Sequence, residues 1–348
     1  LVALADDERS QLLAASALVG LFFFLPVAAS LAIIQLACTL TLTVIFTRLS
    51  HRVSRPLSLR PQTYTQVRLA NWKGRLFASA MTAILLTLFI LPLASLALRS
   101  ITHIDTNRLG PEPAQHGLTL DFYRELSINR RESMFYAPPT TAISLSLGYA
   151  LATVVLSMVL GMPAAWSLAH SARSHFSRLM DPILMLPLGT SAVTLGLGFI
   201  IALDQPPLDL RNSWVLIPFA HTLVAFPFVV RSLTPALRSI RPQLRQAATV
   251  LGASPGKVFR FIDLPLVGRS LLVAAVFAFT ISLGEFGATA LIARPEYPTV
   301  PVAIYRLISQ PGTMNYGQAL ALSTILMIIT SAGILSIERL RIADVGEF

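Results

Sequence analysis

Charge is what this chain has least of. Asp, Glu, Lys and Arg together make up 13% of its 348 residues, against about a quarter in soluble domains. Acids are the scarcer sign, 17 against 27 bases, and lysine occurs only at Lys73 and Lys257. Cysteine occurs once, at Cys38 inside an apolar run, which excludes an internal disulfide and a cysteine metal site. There is no H-E-x-x-H and no cysteine pair. The stretch Gly252–Lys257 (GASPGK) has the flavour of a phosphate loop, but it is one residue short and places Val258 where a hydroxyl must reach magnesium. No other nucleotide motif occurs, and no cofactor is expected in this chain. The first residue is Leu1, with no basic region ahead of it, so the chain reads as a piece of a longer one or an incomplete gene model and not as a signal peptide.

Apolar length is what the chain has instead. Hydrophobic residues make up 54% and the mean hydropathy is +0.67. A crossing helix needs about 20 mostly apolar residues. Stretches of that kind predict an all-α, polytopic transmembrane bundle of about seven spans: 25–46, Leu76–Leu98, Thr140–Ala169, Leu179–Leu203, Ser213–Val230, Ser270–Ile292 and Gly317–Ile337. The third is rich in Ser, Gly and Ala, which suits close helix packing. The links 47–75, 170–178 and 231–269 are the basic ones, and alternation puts the same three on the cytoplasmic side. The acidic start then lies outside and the tail inside; the bacterial inner membrane is what the resemblance given below implies. The net charge of +10 is thus explained by orientation, and nucleic acid is not an expected partner. Two basic helix exits, TVIFTRLSHRV and LSIERLRIADV, form a faint internal echo; any helix leaving toward the cytoplasm also ends this way.

The segment Arg245–Leu266 (RQAATVLGASPGKVFRFIDLPL) is both cationic and patterned. Gln243–Val250 is expected to form a short helix with Ala247 and Ala248 on an exposed face. Gly252 permits a turn that a Cβ would resist. Pro255 suits the first turn of a second helix, with Ser254 as its cap. That helix presents Val258, Phe259, Phe261 and Ile262, and Pro265 ends it. Small residues for close approach and an aromatic anchor at Phe259 make a docking element.

These residues resemble the EAA loop of type I permease subunits of ATP-binding cassette importers: Glu-Ala-Ala, then Gly, then Phe, an aliphatic residue and Pro-Leu. Ala247, Ala248, Gly252, Phe259, Ile262, Pro265 and Leu266 fall in register, and Gln246 replaces the usual Glu. The resemblance covers roughly residues 70–340. It implies that the loop forms coupling helices for a separate ATPase. It implies as partners two such subunits, a second permease unit (fused or separate) and a periplasmic or lipid-anchored substrate-binding protein. Residues 282–311 look like the permeases for iron(III) and for thiamine, with the wording leaning to iron(III). Because those permeases are fused pairs, residues 1–50 are expected to close an upstream repeat. A basic linker follows at 51–75, the permease unit at 76–340 and a tail at 341–348.

Two polar residues lie at membrane depth. Glu285 in the sixth span either lines the translocation path or its gate, or is a structural acid with a polar partner on a neighbouring helix. His221 in the fifth span faces the same pair of readings. Pro227, Gly284 and Gly287 are expected to relax the backbone where these spans tilt. A membrane-embedded enzyme would need a nucleophile or metal constellation at depth, and none is found. An ion-coupled carrier would make Glu285 and His221 a relay and the loop a mere linker.

Overall fold

A computed structural model describes residues 27, 29–45, 49, 71–102, 117–128, 138–170, 175–203, 210–211 and 213–343. The expected linker 51–75 falls outside these up to residue 70, as do Asp204, Asp209 and the tail beyond residue 343. The described chain is helical, apart from one isolated antiparallel bridge between Thr102 and Leu118. In order the main helices are α1 Ala29–Ile45, α2 Trp72–Ser100, α3 Pro139–His170, α4 His175–Gly189, α5 Ala192–Leu203 and α6 Leu216–Ser239. There follow α7 Pro242–Val250, α8 Pro255–Leu266, α9 Gly268–Gly284, α10 Thr289–Ile292, α11 Val300–Ile308 and α12 Thr313–Ala343.

The seven-span expectation needs correcting in two places. Helices α2, α3, α6 and α12 are each long and apolar enough to cross a membrane. The fourth expected span is instead two helices, Met180–Gly189 and Ala192–Leu203, bent by 105°. Pro187 lacks the N–H that would bond to Ile183, and Gly189 ends the first half; hydropathy cannot register the break because both halves are apolar. The sixth does not run to Ile292: α9 stops at Gly284, the chain turns through Glu285–Ala288, and α10 is a single short helix. At its other end α9 meets α8 at 72°. The first is described over Ala29–Ile45 as the apolar helix α1.

Helices α3, α6 and α9 pack on one another and form the centre. In α6, 61% of the most apolar stretch is buried, against 28% in α3 and none in α2, so α6 is the axle of the bundle and α2 its outermost member. Between spans, lipid is as apolar as a neighbouring helix, so association rests on close fit and polar contacts more than on apolar burial. The buried face of α3 supplies that fit: Ala142, Ser146, Ala150, Thr153, Ser157, Gly161 and Ala165 recur every three or four residues, as the small-residue reading of this span expected. At Gly161 an added Cβ would lie 2.6 Å from Val229 of α6.

A second cluster covers one end. Phe122 and Leu126, from the link between α2 and α3, pack with Ala142, Val300, Ala303, Ala321 and Leu322. Thr119 donates its N–H to Ile101 (2.7 Å) and Gln318 donates to the Glu125 carbonyl (3.1 Å), which pins the link to the bundle. The Phe122 ring occupies the space a side chain at Gly317 would need. Gly317→Val is therefore expected to destabilise by about 1–3 kcal/mol through overpacking. Gly198→Ala, with nothing within 4 Å of the new Cβ, is the matched control. Thermal unfolding of the detergent-solubilised protein should separate the two; equal midpoints would contradict this packing.

Candidate coupling loop and the polar cluster behind it

The loop folds by local backbone chemistry. Pro242 and Pro255 each sit in the first turn of their helices, where a missing N–H costs nothing. After Val250 the chain closes in a Schellman motif: Gly252 N–H donates to Thr249 O and Ala253 N–H to Ala248 O, both at 2.9 Å. Gly252 holds φ = +83°, the left-handed region a Cβ resists. Ser254 stands at the N-cap position of α8, but its hydroxyl makes no capping bond, which corrects that expectation. The second helix widens to a π turn over Phe259–Asp263, directly before Pro265, whose ring would clash with the carbonyl four residues back. Pro265 does not end the helix; the chain stays helical to Leu266 and bends at Val267.

Exposure divides the motif residues into two groups. Gln246, Ala247, Gly252, Pro265 and Leu266 are exposed, whereas Ala248, Phe259 and Ile262 are half-buried. Val250 and Leu251, at the tip, are 86% and 87% exposed between arginines and a lysine. Both lie off the long apolar spans. Phe259 does not point outward as an anchor. Its ring meets Trp166 of α3 edge-on at 5.2 Å, so it fastens the loop to its own bundle, and Phe261 is the exposed aromatic.

Sequence reading missed the strongest tie. Arg245 Nε donates to Asp263 Oδ1 at 2.7 Å, joining the two loop helices, and Nη2 donates to Leu237 O at 3.3 Å. Asp263 is fully buried, its Oδ2 without a partner. The Arg245 guanidinium lies 5.4 Å over Trp166, which also stacks on His170 at 4.2 Å. Arg238 donates to Leu168 O (3.0 Å) and fastens α6 to the same end of α3. The available signal was that Asp263 is the lone acid in a run of cations.

Behind the loop, at the other end of α9, the structure brings Glu285 and His221 together. Glu285 Oε1 accepts from Ala288 N–H (2.9 Å); Oε2 accepts from the Thr289 N–H (3.1 Å) and hydroxyl (2.6 Å). The carboxylate thus caps α10, satisfying orphan donors of a helix start. His221 Nε2 lies 2.7 Å from Thr289 Oγ1 and 3.5 Å from Glu285 Oε2; its Nδ1 lies 2.7 Å from Ser282 Oγ, which donates to Thr153 Oγ1 at 3.2 Å. Glu285 is 6% exposed and His221 1%. Five polar side chains from α3, α6, α9, the turn and α10 thus form one buried cluster. Gly287 does not loosen this turn: an added Cβ would meet Ala192 at 3.0 Å, and one at Gly196 would meet the Ala288 backbone at 2.9 Å. Both glycines let α5 lie against the turn.

Comparison with known proteins fits this architecture. The family model described as binding-protein-dependent transport system inner membrane component matches residues 157–341. The molybdenum transport system permease protein ModB of Haemophilus influenzae is 34% identical over 205 residues, 55% of this chain and 89% of that one. PhnV of Salmonella typhimurium, named for 2-aminoethylphosphonate transport, is 26% identical over 269 residues, 77% of this chain and 95% of its own. Two crystal structures of a bacterial alginate ABC transporter, one with a pentasaccharide-bound periplasmic protein, share the fold. Their TM-scores are 0.52 and 0.55 at 17% identity, over 76% and 75% of this chain and 95% and 92% of the matched chains. The chain belongs to the binding-protein-dependent transport system inner membrane components, the permease subunits of type I ATP-binding cassette importers.

Proposed function

We propose that residues 245–266 are the surface on which a separate ATPase works, and that α3, α6 and α9 pass its movement to the Glu285 turn. One observation carries this reading. The loop tip offers Ala247, Val250 and Leu251 to a partner while Arg245–Asp263 and Phe259–Trp166 fix its base to the bundle. A flexible linker would show the tip without the ties. The chain takes no cofactor of its own and hydrolyses no ATP. It works with two ATPase subunits, a second permease unit and a substrate-binding protein outside. The basic links face the cytoplasm, the third of them starting only after α6 ends at Ser239, and residues 1–50 close an upstream unit, with the permease unit at 76–340 and the tail at 341–348.

The cargo is a small ionic solute. The stretch 282–311 resembles permeases for iron(III) and thiamine, with iron(III) preferred on wording; the relatives above carry names for molybdenum and 2-aminoethylphosphonate transport. Specificity rests largely with the delivery protein, so the permease lays few contacts on its cargo.

Ala247→Trp tests the docking surface. Ala247 is exposed, so the bulky ring leaves this chain folded but blocks close approach. The expected result is loss of ATPase co-purification with an unchanged unfolding midpoint. ATPase bound as in the wild type, or solute uptake continuing with no ATPase present, would reject the reading. Uptake of the latter kind would favour an ion-coupled carrier, for which the buried His221–Glu285 contact is the specific observation.

A further inference from the structure

An open cavity of about 260 Å³ lies where α1, α4 and α6 meet, lined by Leu42, Thr43, Met185, Leu188, Gly189 and Arg231. Among the described residues that line it, Arg231 is the one charged side chain. The residue is exposed, and the contact its guanidinium makes is from Nε to the Met185 thioether at 3.3 Å. Sulfur is a weak acceptor, so most of the guanidinium's five donors are left for something else. No carboxylate among the described residues pairs with Arg231; the nearby ion pair on the loop belongs to Arg245 and Asp263.

Depth makes this arrangement unusual. Arg238, which holds the end of α3, lies seven residues further along α6. At 1.5 Å per residue Arg231 therefore sits about 10 Å deeper in the bundle. A cation within a spanning helix is retained where it faces a water-filled cavity or a functional counter-ion. Helix α6 is the most buried span, and the contact with Met185 turns the side chain toward α4, not along α6 to the headgroups. The cavity sits against the 105° elbow between α4 and α5. There α1 closes one wall through Thr39 Oγ1 donating to Gly189 O (3.1 Å) and Thr194 donating to Gln35 (3.1 Å). The polar lining is thus a guanidinium, the Thr43 hydroxyl and a Gly189 carbonyl already occupied by Thr39. Among the described lining residues it offers donors and no carboxylate.

We propose that this cavity is a transit site for an oxyanion, with Arg231 as the residue that sets the sign of the cargo. The proposal rests on the permease reading above and deepens it by choosing the substrate class. A guanidinium fork matches the oxygens of a tetrahedral oxyanion, and arginines select anions in pores by the same means. The volume equals about nine waters at ~30 Å³ each, enough for such an ion with part of its hydration shell. One cation with one hydroxyl binds weakly enough to release, which transit requires. Iron(III) and thiamine, both cationic, are disfavoured at this point of the path, so the proposal replaces the iron(III) preference drawn from wording.

The test uses cells carrying the complete transporter, with its ATPase and binding protein. Initial uptake of radiolabelled molybdate, 2-aminoethylphosphonate, iron(III) and thiamine is measured for wild type, R231Q and R231K, with ATPase co-purification followed in parallel. The expected result is wild-type uptake of at least one of the two anions and a fall of about tenfold or more in R231Q, the scale for losing a hydrogen-bonded charge. Co-purification should be unchanged. In R231K the KM should rise severalfold with kcat nearly kept, and R231K carries the test alone if R231Q does not assemble. Anion uptake at the wild-type rate in R231Q, an unchanged KM in R231K, or wild-type uptake of neither anion would overturn the proposal. Those outcomes leave the permease reading standing, because that reading fails on ATPase retained by Ala247→Trp or on uptake with no ATPase present.

Discussion

Arg245→Ala is expected to cost about 3–5 kcal/mol, because it strands a carboxylate that is already short of partners. Asp263 is fully buried, and its Oδ2 has no hydrogen bond even in the intact pair. The converse variant, Asp263→Ala, is expected to cost less. The Arg245 side chain keeps 20% of its surface exposed, retains Leu237 O and the Trp166 face, and finds water. The pair is thus asymmetric, and the order of the two single variants reports it. The double variant Arg245→Met/Asp263→Leu removes both charges from a site flanked by aromatic rings and should recover most of the loss, as replaced buried pairs commonly do. Unfolding midpoints of the four proteins form the measurement, with ATPase retention as the second readout. If the double variant is as stable as the wild type yet loses the ATPase, the pair positions the loop. If both quantities recover, the pair is structural support alone. Equal midpoints for both single variants would contradict the buried geometry.

Glu285→Ala carries the second large effect. It removes the acceptor of three buried donors, two N–H groups and the Thr289 hydroxyl. Each donor left unpaired costs about 1–3 kcal/mol, so a loss of about 3 kcal/mol or more is expected. Glu285→Gln keeps an oxygen but turns an amide NH2 toward one of those donors, and should fall in between. His221→Ala removes the link from Thr289 to Ser282 but leaves the cap intact, so its cost should be the smallest of the three. Uptake read beside stability tells the two roles of Glu285 apart. A Glu285→Gln protein that assembles and unfolds near the wild-type midpoint but does not transport makes the carboxylate part of the moving path. One whose uptake falls only as far as its stability makes it a cap.

The loop was legible because its shape is decided within a few residues. A left-handed turn needs Gly252, a helix start tolerates Pro255, and the helix expected over 243–250 is found as Pro242–Val250. The buried stripe of α3 was legible for a related reason, since small residues at helical spacing have one use in lipid. What escaped is non-local. Whether Phe259 faces a partner or its own Trp166 depends on a helix about 90 residues earlier in the chain. His221 and Glu285 each looked isolated along the chain, and only the packing of α6 on α9 places Ser282 and Thr289 between and beside them. The elbow at Thr190–Ser191 escaped because a hydropathy sum is blind to direction.

That elbow also bears on how the chain enters the bilayer. Its halves hold fifteen and twelve residues, each less than a crossing segment requires. Neither is long enough to partition alone, and the break leaves backbone carbonyls that lipid cannot satisfy. Gly189 O finds its donor on α1, which is synthesised long before it, and α4 finds its packing surface on α6, which is synthesised after. The elbow therefore becomes stable in the membrane only once translation has reached α6, and insertion here is a step taken by four helices together.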